Sequence, residues 1–387
     1  MQRYKLGVDI GGTFTDFSLI DAAGVTTLWK EATTPQRREL AVQNGLVNLA
    51  AAKGIPLESL LSSLDIFVHG STIATNTVIQ RNGPKTALIC TQGFRDVVYL
   101  RDGFKPERYD INLERKQDFV PRYLRIPVVE RINYRGDILT ALDEDSVFKA
   151  IRQIEQHRVE SIAVALLWSV VNPNHERRVK ALLEAACPDV PVVLSSDVLP
   201  MIREWERTCS TVLSAYVLPG IERYMRALEQ FLRAHAYPHP LLIMQLNGGC
   251  ATVDNLLKRP IYSLASGPAA APTAGLLCAE RIQRRNIITV DMGGTSFDVC
   301  LISDGKPKMT TELRVDDTPV GVSAVEVHSI GAGGGSIAWI DKGGALNVGP
   351  QSAGAEPGPA CYGQGGLEPT VTDANVVLGF INPQGFL

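Results

Sequence analysis

The stretch VDIGGTFTDFSLI at residues 8–20 decides how this chain is read, because it returns as VDMGGTSFDVCLI at residues 290–302. Aligned without a gap, the two share Val, Asp, Gly, Gly, Thr, Asp, Leu and Ile, 8 of 13 positions, at a separation of 282 residues. A solenoid repeats every few tens of residues. This spacing instead suits two related domains, each opening with the same device.

In both copies an apolar strand delivers an aspartate (Asp9, Asp291), then Gly-Gly-Thr, then a second aspartate (Asp16, Asp298) on the returning strand. Paired glycines permit backbone conformations closed to other residues and let a ligand approach the main chain. The amides of Gly11, Gly12 and Thr13, and of Gly293, Gly294 and Thr295, then form candidate anion nests. A carboxylate beside a phosphate makes sense with a divalent cation between them, and Mg²⁺ prefers few carboxylates plus phosphate oxygens and water. Two such loops facing each other across a cleft would hold the β- and γ-phosphates of a nucleotide. The same residues also make a plain tight turn, and duplication with both aspartates kept is what favours phosphate. Neither a Walker motif nor a Rossmann fingerprint occurs.

The bulk composition narrows the class. With 387 residues the chain expects two or more domains. Its net charge of −3 argues against a general nucleic-acid surface. The longest apolar run, IAVALLWSVV at 162–171, is about half of the ~20 residues a membrane span needs, so a buried strand is expected there. The seven cysteines never reach CxxC spacing, and the start has no signal-peptide pattern, which together predict a soluble, cytoplasmic protein.

Strands and helices alternate along the chain, the mark of an α/β protein. A three-stranded hairpin is expected over 5–30, a helix over 33–54, and a strand running into a helix over 65–83. Residues 100–137, charged and proline-punctuated, read as an insertion carrying surface contacts. A long helix over 201–236, with an apolar stripe at Ile221, Tyr224, Met225, Leu228, Phe231 and Leu232, reads as a bridge between domains at 1–200 and 201–387. REWER, at 203–207, reads as a charged helix face. Residues 331–366 are glycine-dense and expected to be irregular.

Paired DxGGT hairpins mark the actin, sugar-kinase and Hsp70-like ATPase superfamily. Longer strings narrow the resemblance: HGSTIATN, QGFRDV, YVLPGIERY, SGPAAA, VHSIGAGGGSIAW, VGPQSAGAEPGPACYG and PTVTDANVVLG. Together they resemble the hydantoinase A / 5-oxoprolinase family, the ATP-binding subunit of ATP-dependent cyclic-amide hydrolases, with acetone carboxylase a relative. The resemblance implies a two-domain actin-like ATPase fold. Family members continue past PTVTDAN into a later Gly-rich stretch of GGAGP type, whereas this sequence ends at INPQGFL, so an incomplete second domain is expected.

The implied chemistry is phosphoryl transfer from ATP to the amide oxygen of a hydantoin, 5-oxoproline or similar lactam. It also implies a B-type partner subunit for ring opening. On this reading Asp9 and Asp291 organise Mg²⁺, the six Gly-Gly-Thr residues cradle phosphates, and Asp16 or Asp298 orients the attacking oxygen or the metal's waters. For Asp16 and Asp298 the other reading, a carboxylate holding the hairpin's amides, stands beside it. Two rivals remain at this point: a small-molecule kinase of the same superfamily, and a truncated non-catalytic binding subunit.

The remaining candidates are weaker. His69, Gly70, Ser71, Thr72 and Asn76 mark a strand-to-helix junction that either faces a phosphate or is an ordinary Ser/Thr cap. Gly333 and Gly334, in the loop 331–336, are read as ligand contacts in a second anion nest or a mobile cover, with a plain flexible loop as the other reading. Glu326 and His328 are two residues at strand spacing, which rarely suffice for a metal. Cys361 has no histidine near it in sequence and is read as structural.

Overall fold

The computed structural model describes residues 3–11, 14–34, 37–105, 108–113, 117–294, 297–354 and 356–385. The fold is α/β, as expected. The chain divides into two compact units, residues 1–267 with 310–324, and residues 268–309 with 325–387. The boundary expected at 200 therefore falls inside the first unit, and the long helix belongs to that unit's core.

The first unit carries two sheets. Strands β1 (Tyr4–Ile10), β2 (Phe14–Asp21) and β3 (Thr26–Ala32) form the expected antiparallel meander. Tyr4, Leu6, Val8 and Ile10 alternate into the core, which fixes the register of β1. Helix α1 (Arg38–Ala52) follows, and β4 (Leu64–Ser71) then returns parallel to β1. The strands Leu242–Met244 and Cys250–Thr252 complete a six-stranded sheet beyond β4. The second sheet is all parallel: Thr86–Thr91 at its centre, Arg125–Val128 on one side, Ser161–Ala165 and then Val192–Leu194 on the other. Its central strands are buried at every position, as parallel strands covered on both faces must be.

Arg125–Val128 corrects one expectation. It lies inside the segment read as a surface insertion, yet it is a core strand. Arg125 is buried because its guanidinium is matched from within: Nη2 donates to Asp118 and Nε to the Val120 carbonyl at 3.0 Å.

Helix α2 (Glu204–Ala234) is the spine of the unit. Residues 207–218 are buried on every side, as for a helix with packing all round. Beyond Pro219 burial narrows to the expected stripe of Ile221, Tyr224, Met225, Leu228 and Leu232, with Phe231 half-buried. Trp205 and Arg207 are buried too, so REWER is not a solvated charged face. Pro219 has no N–H to donate to the carbonyl of Ala215. The buried Ser161 hydroxyl, from the parallel sheet, donates to that carbonyl at 2.7 Å. A side chain on a strand thus supplies the hydrogen bond that the helix lacks.

The second unit holds the second copy of the meander, β5 (Ile287–Met292) and β6 (Phe297–Ser303), with β7 (Val327–Ile330) on the far edge of β6. One face of this sheet covers the unit's buried apolar cluster, Ala269, Cys300 and Val325. The other face shows Ile288, Val290, Met292, Leu301 and Ile330, each at least half exposed. The glycine-dense tail is more ordered than expected. It contains the hairpin Ser336–Ile340 with Leu346–Ser352, and beyond it a short helix, Val371–Val377, begins at a Thr370–Asp373 capping box.

Candidate functional site

Each hairpin places its two aspartates directly opposite one another across the strands, Asp9 with Asp16 and Asp291 with Asp298. Like charges in that arrangement repel. The two hairpins answer the repulsion differently. In the first, Lys30 of β3 lies opposite Asp16 and its ammonium sits 2.7 Å from the carboxylate. In the second, Ser329 takes the position of Lys30, and its hydroxyl donates to Asp298. Among the described residues, no ammonium or guanidinium pairs with Asp291 or Asp298. Neither Asp16 nor Asp298 accepts an amide of its own turn there.

The first turn is held by its carbonyls. Gly11 N–H donates to the Phe14 carbonyl at 2.9 Å, which closes the hairpin and leaves that amide unavailable to an anion. Gly11 O accepts from the Thr33 hydroxyl at 3.1 Å, and Ile10 O accepts from the Thr72 hydroxyl at 3.1 Å. Gly12, Thr13 and Thr295 lie outside the described residues.

The HGST string braces this hairpin from β4. His69 is fully buried, with Nδ1 3.1 Å from the Val8 carbonyl and Nε2 2.7 Å from the Tyr224 hydroxyl. Burial lowers its pKa to about 4, against a smaller opposing effect of the Val8 hydrogen bond. The ring is therefore neutral near pH 7, donating from Nδ1 and accepting from Tyr224. Gly70 pairs with Asp9 in register, and a Cβ there would stand 2.7 Å from Asp9 Oδ1. A side chain at 70 would displace the Asp9 carboxylate, which occupies that space. The helix that follows, Ile73–Ile79, has Thr72 as its N-cap residue with no side-chain cap hydrogen bond, and the hydroxyl of Ser71 before it accepts from Ile73 N–H at 3.2 Å.

The glycine loop does the same for the second hairpin. Gly334 N–H donates to Gly293 O at 2.9 Å and Gly335 N–H to Gly294 O at 2.7 Å. Gly333 N–H donates to the Ser336 hydroxyl at 2.8 Å. The amides of Gly333 and Gly334 are thus engaged within the protein, and the loop is a strut under the DMGG turn instead of a free nest. The strut is itself pinned: Gly334 O accepts from both the amide and the hydroxyl of Thr372, each at 2.8 Å. A Cβ at Gly334 would stand 2.7 Å from the Thr372 hydroxyl oxygen.

The other candidates separate cleanly. Glu326 is bound by Lys308 at 2.9 Å and by His328 at 3.2 Å, and the Lys308 hydrogen bond holds its pKa down. Among the described residues no group of three or more His, Cys, Asp or Glu is placed to hold a metal ion. Burial, together with the neighbouring Asp373 carboxylate, pushes the Cys361 thiol up to about 11. That is the opposite of an activated nucleophile. Partial burial alone would raise the pKa of Asp373, but hydrogen bonds from the Cys361 thiol, the Thr370 hydroxyl and the amides of both residues outweigh it and hold it at about 2. Lys30, Thr33 and Thr372 carry no sequence signal of their own. Asp373 did carry one, as the last residue of the box Thr370-x-x-Asp373.

Two family models match the chain, the hydantoinase/oxoprolinase N-terminal region over residues 5–187 and hydantoinase/oxoprolinase over residues 207–387. Caprolactamase subunit alpha of Pseudomonas jessenii is 42% identical over 382 residues, covering 98% of this chain and 55% of its own length. The crystal structure of the ATP-dependent caprolactamase from that organism superposes with a TM-score of 0.87 at 41% identity, over 98% of this chain and 55% of that one. A nucleotide-free acetone carboxylase structure gives 0.84 at 30% identity, over 100% and 56%. The chain spans about half the length of these relatives.

Proposed function

The chain belongs to the hydantoinase/oxoprolinase family, and from that premise we propose that it is the nucleotide-binding, substrate-phosphorylating part of an ATP-dependent cyclic-amide hydrolase with an actin-like ATPase fold. The observation that carries this reading is the Asp291–Asp298 pair, two carboxylates opposite one another with no cation among the described residues. Such a pair fits Mg²⁺, which is bound by one or two carboxylates plus phosphate oxygens and water. Asp9, whose neighbour Asp16 is already neutralised by Lys30, serves as the second metal-organising carboxylate.

When bound, Mg²⁺-ATP supplies the phosphoryl group and the charge neutralisation that its transfer needs. The chain's own part is positioning. Gly70 leaves room for the Asp9 carboxylate, and Thr72 and Thr33 fix the carbonyls of Ile10 and Gly11. Gly334 and Gly335 fix the carbonyls of Gly293 and Gly294, which directs the backbone of the second turn. Asp16 and Asp298 orient the attacking oxygen or the metal's waters. The lactam oxygen then takes the γ-phosphoryl group as ADP leaves, and water opens the activated ring to give an amino acid and phosphate. A B-type subunit is the partner for that second step, and the cytoplasm is the setting. A kinase of the same superfamily would instead leave a phosphorylated product.

The test is calorimetric titration of Mg-ATP into the purified chain, with Asp9→Ala and Asp291→Ala beside it. Binding by the wild type that disappears in both variants, while their melting curves hold, supports the reading. A folded wild type that binds no Mg-ATP, or variants that bind it unchanged, overturns it. Free phosphate with an opened ring, rather than a stable phosphorylated product, separates the hydrolase from the kinase.

A further inference from the structure

The two copies of the hairpin differ most in what covers them. At the separation of 282 residues, Leu6, Val8, Ile10 and Leu19 of the first correspond to Ile288, Val290, Met292 and Leu301 of the second. The first four are 1–3% exposed and the second four 50–65% exposed. The side chains are as apolar in one copy as in the other, so the difference lies in the cover. In the first unit α1 supplies it. Val42, Leu46 and Leu49 of that helix are fully buried, and a Cβ at Gly45 would stand 2.1 Å from Phe17 Cζ. In the second unit the helix Ser266–Arg281 lies on the opposite face of the sheet, where a Cβ at Gly275 would stand 2.2 Å from Thr289 Cγ2. Ile288, Val290, Met292 and Leu301 are left in solvent.

The edges differ as well. β1 pairs with β2 on one side and, in parallel, with β4 on the other. Its counterpart β5 pairs with β6 alone among the described residues. An open edge presents unpaired N–H and C=O groups, which natural proteins blunt with lysine, proline or a bulge. The strand reads IITVDM, with neither lysine nor proline, and runs beside β6 in unbroken register. A bare apolar face next to an unprotected edge is the surface that an added helix and strand would fill.

We propose that this surface receives a polypeptide segment that crosses Ile288, Val290, Met292 and Leu301 as an amphipathic helix and then adds a parallel strand to the free edge of β5. α1 and β4 do the same for the first hairpin. The occupant is the stretch of the family's length that this chain does not match. The matched region is 55% of caprolactamase subunit alpha, which leaves 45% of that protein, ample for one helix and one strand. The first hairpin also sets an expectation for the register. Gly70 of β4 stands beside Asp9 and leaves room for its carboxylate, so the strand arriving at β5 places a residue as small as glycine beside Asp291. The pair Asp291 and Asp298 then lies inside a sheet and not at its margin. This docking is argued from packing and pairing alone and does not rest on nucleotide binding.

The experiment co-expresses the full 387-residue chain with the unmatched part of Pseudomonas jessenii caprolactamase subunit alpha as a separate, tagged polypeptide, without added nucleotide. A one-to-one complex by light scattering is expected, with amide hydrogen exchange over Ile287–Met292 slowed relative to the chain alone. Val290→Asp puts a charge into the contact and should weaken the complex at least about tenfold. Its melting temperature should hold, because Val290 is already exposed. Leu28→Asp, at an equally exposed position on β3, should leave the complex unchanged. Absence of a complex overturns the proposal, as does a complex that Val290→Asp leaves intact or that leaves exchange over Ile287–Met292 unaltered. A chain that dimerises by itself through this face, and that Val290→Asp returns to monomer, assigns the surface to a second copy and overturns it too.

Discussion

Replacing Gly70 by alanine separates what holds the first hairpin together from what the hairpin binds. The new methyl would stand 2.7 Å from Asp9 Oδ1, where ordinary contact begins at 3.4 Å. The clash is thus about 0.7 Å, and it falls on the end of a side chain, not on backbone. Asp9 is exposed, so its carboxylate has solvent to turn into, at the loss of the contact it already makes. Relief by rotation keeps the stability cost small, about 1 kcal/mol. The cost to Mg-ATP should be larger, because the carboxylate then points away from the position that β1 and the turn set for it. Displacing a metal-organising group through its neighbour typically costs about 10- to 100-fold in affinity. Calorimetry and thermal melting on the same preparation measure the two quantities side by side. A Gly70→Ala protein that melts nearly as the wild type but binds Mg-ATP at least tenfold more weakly is the expected result. Unchanged affinity would refute the idea that Gly70 is there to place Asp9, and an early melt alone would make the residue merely structural.

Three further outcomes follow from particular contacts. Ser161→Ala orphans the Ala215 carbonyl beneath Pro219 and should cost about 1–3 kcal/mol by urea unfolding. In the Pro219→Ala background, where the helix can make its own bond, the same change should cost distinctly less, and an additive double-mutant cycle would contradict this. His69 is held at about 4 against 6.5 in the unfolded chain, so the unfolded state binds the extra proton between those values. Stability is therefore full above pH 6.5 and falls as the pH drops toward 4, by about 3 kcal/mol for this group. His69→Gln should flatten that part of the pH–stability curve even if it lowers the whole curve. Cys361, pushed up to about 11, should react slowly with iodoacetamide at pH 8, well behind exposed Cys278, and Asp373→Asn should speed it. Peptide mapping of the alkylated sites reads this directly.

The hairpins were legible because their logic is local. Alternating Tyr4, Leu6, Val8 and Ile10 set β1, and the two aspartates fall at positions that a short turn brings opposite each other. The parallel strands Thr86–Thr91 and Ser161–Ala165 announced themselves as apolar runs. What escaped depends on contacts between distant residues. Arg125–Val128 hides among charges because the partner that makes Arg125 tolerable in a core, Asp118, is seen only once the segment has folded back. Gly333 and Gly334 look like free donors until their acceptors, Ser336 and Gly293, are known. Lys30 is one surface lysine among many until the register sets it against Asp16. The glycine of HGST reads as turn chemistry, whereas its reason is a carboxylate on the neighbouring strand.

The bare face of the second sheet bears on energetics as well as architecture. With Ile288, Val290, Met292, Leu301 and Ile330 in water and, among the described residues, a small buried cluster of Ala269, Cys300 and Val325, the hydrophobic drive to keep this unit folded is modest. Asp291 and Asp298, which pair with no cation among the described residues, sit on its strands. A ligand that engages them therefore binds to whatever fraction of molecules has this unit in order, and its apparent affinity is diluted by that fraction. Covering the face would then tighten binding at the aspartates without touching either of them.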